Sequence, residues 1–188
     1  DPDDADGDGI SGRVAWLDGP DGQRAIGRFG WKASQPDIRE QSGHAFASDM
    51  GLSNPVVVNA FGDCTETQAA CLALPTGVQE RLGAEEAPAD VLDAVTFYAS
   101  NLAVPVRRDV DDPSVLAGKE IFYSSGCIAC HTPKYVTSRE AAEPALRFQL
   151  IWPYTDLLLH DMGEGLADNR PEGAATGTER RGAPLGAG

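Results

Sequence analysis

At 188 residues, with a formal charge of −14 and a pI near 4.4, the chain is long enough for one large domain or two small ones. So acidic a balance argues against nucleic-acid binding, which needs a cationic face. No stretch approaches the roughly 20 apolar residues of a membrane span, and the acidic start Asp1-Pro2-Asp3-Asp4 is unlike a signal peptide.

The first segment, DPDDADGDGISGR (1–13), sets Asp4, Asp6 and Asp8 at alternate positions before Gly9. Carboxylates so spaced, followed by a glycine that permits a sharp turn, match the start of a calcium loop in which Ile10 would offer its carbonyl. Ala15 stands where a bidentate Glu would complete an EF-hand loop. The alternative is a solvated acidic turn. Residues 13–29 predict a β-hairpin, with Val14–Leu17 and Gln23–Ile26 flanking Asp18-Gly19-Pro20-Asp21-Gly22. In GRFGWKA (27–33), Arg28 or Lys32 could pair with an acidic group of a cofactor or cap an aromatic corner.

Ser34 reads as the N-cap of a helix that Gly51 stops, with Ile38, Ala45, Phe46 and Met50 as its apolar face. Cys64 and Cys71 flank a short polar loop, and in an exported protein they are expected to form a disulfide. Residues 88–103 give the clearest helix, with Val91, Leu92, Val95, Tyr98 and Leu102 at three- and four-residue steps. A charged linker, 106–112, leads to a helix from Ser114 to about Tyr123 that places Gly118 and Phe122 on one face.

Cys127-Ile128-Ala129-Cys130-His131 follows. Two thiols three positions apart with an imidazole directly after them are what covalent haem attachment requires. The thiols add across the two vinyl groups, and the adjacent His becomes the proximal iron ligand. A bare pair of Cys would leave a redox dithiol or half a zinc site open. The following His, and the lack of a βαβ pattern, favour haem c. In WPYTDLLLHDM (152–162) the three leucines need burial, and His160 and Met162 follow as candidate sixth ligands. Either could instead be a packed side chain. The tail 163–188 shows no apolar periodicity and reads as loop.

Taken together, DGDGISGR (6–13), GRFGWKA (27–33), the Cys64/Cys71 loop, the Tyr98 helix with LAVPVRR, GCIACHTP (126–133) and YTDLLLHDMG (154–163) resemble the di-haem oxidoreductase family of bacterial c-type cytochromes, related to di-haem peroxidases. The resemblance implies a mainly α, cytochrome c-like fold with a small N-terminal hairpin and much irregular structure. It also implies a periplasmic or otherwise exported protein. The family carries two CxxCH motifs and this chain one, so the expectation is a fragment. Residues 1–110 would be the remainder of a first cytochrome-like domain, and 111–188 a second, haem-binding domain incomplete at its C-terminus. A second haem domain would then be missing from the chain.

Three functions are compatible with these residues. In the first, haem c bound by Cys127, Cys130 and His131, with Met162 across the iron, carries electrons to a redox partner, favoured if basic because of the chain's charge. In the second, the iron is open and peroxidase-like, with His160 as general base. In the third, the chain is a non-haem binding module held by calcium and the disulfide.

Overall fold

A computed structural model describes residues 2–19 and 22–175, together with the backbone of 179–181. It resolves into two compact units, Asp1–Ser34 with Ala103–Gly188, and Gln35–Leu102.

In the Gln35–Leu102 unit, helices α1 (Ile38–Met50) and α3 (Ala89–Asn101) pack together, joined by loops and the short α2 (Ala69–Leu72). The N-cap of α1 is Asp37, not Ser34: its carboxylate accepts the Glu40 amide at 2.9 Å. Gly51 closes the helix in the left-handed conformation (φ 69°), a C-terminal stop that only glycine makes without cost. Met50 is 62% exposed, so the apolar face of α1 ends before it. Leu92 of α3 is fully buried. Asn54, also buried, ties the unit together: its amide donates to the carbonyls of Gly43 and Leu52, and its Oδ1 accepts from Val56 and Val57. Glu86 binds the Ser53 amide and hydroxyl and the Gly77 amide. Cys64 and Cys71 are bonded, their Cα atoms 6.0 Å apart.

In the other unit the expected hairpin forms as β2 (Trp16–Asp18) and β3 (Arg24–Ile26), with Trp16 opposite Ile26. Pro20 and Asp21 of its turn lie outside the described residues. The rest was not expected. Strand β1 (Gly12–Arg13) pairs antiparallel with β6 (Leu159–Asp161), and β6 with β7 (Glu179–Arg181) inside the glycine-rich tail. This ladder ties the first residues to the last quarter of the chain. A core of Ala15, Ala33, Leu159 and Ala175 lies behind it. Lys32, 1% exposed, donates to the Asp168 carboxylate at 2.7 Å and to the Arg170 carbonyl at 2.5 Å. Those protein groups already take up its ammonium. Helix α4 (Pro113–Ser124) starts at Asp112, whose carboxylate accepts the Ser114 amide. A second hairpin, β4 (Tyr135–Val136) with β5 (Leu150–Ile151), follows it.

The mainly α, cytochrome c-like expectation is corrected. Helix makes up 30% and strand 11%, a mixed and largely irregular fold. After α4 the chain makes single 3-10 turns and strands of two or three residues. Left-handed non-glycine residues, Phe148, Tyr154, Leu157 and Asn169, interrupt any longer helix there. Among the described residues, no helix is long and apolar enough to cross a membrane.

Candidate functional site

Helix α4 ends at Ser125, whose amide returns to the Ile121 carbonyl, and Gly126 then takes φ 82°. That left-handed residue lets the chain break from α4 directly into a 3-10 turn, Cys127–Ala129. The turn closes with the His131 amide donating to the Cys127 carbonyl at 2.9 Å. It places Cys127 exposed and Cys130 half-buried, both free thiols.

The His131 ring is fixed from two sides. Phe122 of α4 lies 6.2 Å from it, centroid to centroid, and also packs edge-on against Tyr154 at 5.6 Å. Nδ1 meets the Tyr154 carbonyl at 3.0 Å. A carbonyl can only accept, so Nδ1 carries the proton and Nε2 is left as the ring's lone-pair nitrogen. Ligating histidines characteristically donate their other ring nitrogen to a carbonyl in this way. With two free thiols on the preceding turn, the residues fit a covalently held haem.

His160 lies beside Cys130. It is 4% exposed and carries three polar neighbours. Nε2 faces the Asp156 carboxylate at 2.8 Å, Nδ1 the Ser11 carbonyl at 2.9 Å, and Cys130 Sγ lies 3.9 Å from Nδ1. Both close partners are acceptors, so both ring nitrogens donate. The hydrogen bond to Asp156 accordingly raises the imidazole's pKa against the opposing effect of burial. Both ring nitrogens of His160 are thus engaged by protein acceptors. Asp156 is itself held, donating its amide to the Cys130 carbonyl at 3.1 Å and accepting the Leu158 amide at 2.9 Å. Burial first, then the negative charges of Asp156 and Asp8, push the Cys130 thiol above its usual range.

Met162 follows β6, just before Gly163, and is 46% exposed. Gly163 has φ 72°, and its amide donates to Asp161 Oδ1 at 2.8 Å. Asp4, Asp6 and Asp8 do come together, with one carboxylate oxygen of each within 4.8 Å of the others. The loop is shaped by the Gly9 amide on Asp4 Oδ1 and the Ile10 amide on Asp8 Oδ1.

A family model described as di-haem oxidoreductase, putative peroxidase, matches residues 1–188. The chain belongs to the di-haem oxidoreductase family. Membership gives it an oxidoreductase role and a haem cofactor. No curated protein and no solved structure matches it significantly. Within this family member the motif Cys127–His131 was legible in the sequence, whereas Tyr154, Asp156 and Ser11 were not. Tyr154 acts through a backbone carbonyl in a left-handed residue (φ 51°), which leaves no side-chain signature. Ser11 reaches His160 only through a ladder that closes across most of the chain.

Proposed function

We propose that this chain is the haem c-bearing, electron-carrying part of a di-haem oxidoreductase, with Cys127 and Cys130 as thioether anchors, His131 Nε2 as the proximal ligand and Met162 as the distal one. The observation that carries the reading is the His131 Nδ1 contact to the Tyr154 carbonyl, which leaves the lone pair on Nε2 to bind a metal. Haem would supply reversible one-electron chemistry here, and a thioether ligand would favour the reduced state. The residues around it bind and orient. The Cys127–Ala129 turn presents the thiols, Phe122 fixes the plane of the His131 ring, and the β6–Gly163 turn sets the position of Met162.

If His131 and Met162 both hold the iron, the haem would carry electrons rather than bind substrate. Against the peroxidase-like alternative with His160 as base stand the hydrogen bonds that already occupy both its ring nitrogens. Covalent haem and a Cys64–Cys71 bond both belong to an oxidising, exported compartment, the periplasm. A chain this acidic would be steered toward a basic redox partner. The deciding test is the visible spectrum of the ferric protein. A sulfur-to-iron charge-transfer band is expected, lost in Met162→Ala. Its persistence in that variant would remove Met162 as ligand, and a high-spin wild-type spectrum would restore the open-iron reading.

Calcium at Asp4, Asp6 and Asp8, with the Ile10 carbonyl, is a second proposal, favoured by the convergence of the three carboxylates.

A further inference from the structure

The two thiols of the motif are not equivalent. Cys127 is exposed on the 3-10 turn, and its sulfur has the neighbouring Ser125 hydroxyl at 3.4 Å. Cys130 is held by the fold. Its carbonyl accepts the Asp156 amide, its sulfur lies 3.9 Å from His160 Nδ1, and Asp156 and His160 are bonded to each other. His160 is anchored in turn by the Ser11 carbonyl and by the β1–β6 register, which sets it opposite Gly12. That approach is tight: a Cβ at Gly12 would lie 2.9 Å from His160 Cε1 and 2.9 Å from Leu158 Cδ1.

We propose that His160 is a positioning residue for covalent haem attachment at Cys130, packing 3.9 Å from that half-buried sulfur, whereas exposed Cys127 has only the hydroxyl of its neighbour Ser125 beside it. This rests on the haem reading above. The step it serves is an addition. The Cys130 S–H bond breaks, the vinyl π bond opens, sulfur bonds to one vinyl carbon and the proton ends on the other, with no net oxidation or reduction. His160 enters neither the bond made nor the bond broken. It limits where the donor sulfur can move by packing beside it, as a ring held by Asp156 and Ser11 at its two nitrogens.

The test uses the full chain produced in an exporting host with its haem-attachment machinery. The denatured chain is read by pyridine haemochrome spectrum and intact mass. A Cys130→Ser chain supplies the single-thioether reference, whose α-band lies at longer wavelength because one vinyl group survives. Wild type is expected to carry two thioethers. His160→Phe keeps a planar ring and removes both donors, and the single-thioether species is expected to become the main haem product. His160→Asn, whose amide stands where Nδ1 stands, should restore the second thioether. A merely structural role would lower both attachments together and leave the band position unchanged. If His160→Phe does not fold, His160→Gln keeps the reach to Asp156 but withdraws the group beside Cys130, and the same single-thioether product is expected. Two thioethers at wild-type yield in His160→Phe or His160→Gln would overturn the proposal. A wild type with no covalent haem would overturn the haem reading and this one with it, whereas two thioethers in wild type and in every His160 variant would overturn only this one.

Discussion

Two helix glycines that look alike in sequence are expected to respond oppositely to the same substitution. Replacing Gly by Ala inside a helix gains about 1 kcal/mol of intrinsic propensity. At Gly118 of α4 an added Cβ meets nothing within 4 Å, so Gly118→Ala should stabilise its unit by about 0.5–1 kcal/mol. At Gly43 of α1 the same methyl would sit 2.6 Å from Val56 Cβ and 2.8 Å from Asn54 Oδ1. The Val56 atom adjoins backbone and cannot swing aside. Overpacking of this kind costs about 1–3 kcal/mol. Displacing the Asn54 amide disturbs up to four hydrogen bonds, each worth about 1 kcal/mol. The propensity gain is outweighed, and Gly43→Ala should destabilise by about 1–3 kcal/mol. Urea unfolding followed by far-ultraviolet ellipticity reads both. Equal shifts in the stabilising direction would refute the packing of α1 on the Asn54 loop. A destabilised Gly118→Ala would show that the open face of α4 is covered in solution.

Opening the Cys64–Cys71 bond as Cys64→Ser/Cys71→Ser should lower stability by about 2–3 kcal/mol, measured in the same titration, because the loop it closes is short. Glu86 is held below the usual carboxylate range, chiefly by the Ser53 amide and then by that of Gly77. Its contribution is therefore complete above the unfolded value of about 4.3 and is lost as pH falls through the lower folded value. Glu86→Gln should flatten the acid limb of the stability profile, and an unchanged acid limb would contradict that network. Saturating calcium should raise the melting temperature of the wild type and not of Asp6→Asn/Asp8→Asn, since a ligand that binds only the folded state stabilises it. No shift in the wild type would remove that site.

The sequence announced what depends on local spacing. The Cys127–His131 motif, the 16–26 hairpin, the α3 periodicity and the 64/71 pair are all short-range patterns. The α1 and α4 helices were also visible, but the N-cap expected at Ser34 is Asp37. Its carboxylate reaches a free amide of the first turn, as that of Asp112 does for α4. The β1–β6–β7 ladder was not visible, because strands of two or three residues carry no measurable period and their partners stand far apart in the chain. Leu157-Leu158-Leu159 looked like one buried run. Leu157 instead turns left-handed (φ 64°), and only Leu159 is fully covered. Asp156 and His160, on either side of that kink, both lie beside Cys130.

The central claim is that Cys127 and Cys130 anchor haem covalently beside His131. It is tested most directly by extracting the exported full chain with acidified acetone and recording the pyridine haemochrome of the precipitated protein. Haem should stay with the wild-type chain at one per molecule with a two-thioether band, and should leave it entirely in Cys127→Ser/Cys130→Ser. Haem that extracts into the solvent from the wild type, or a wild-type chain that carries none, would contradict the account.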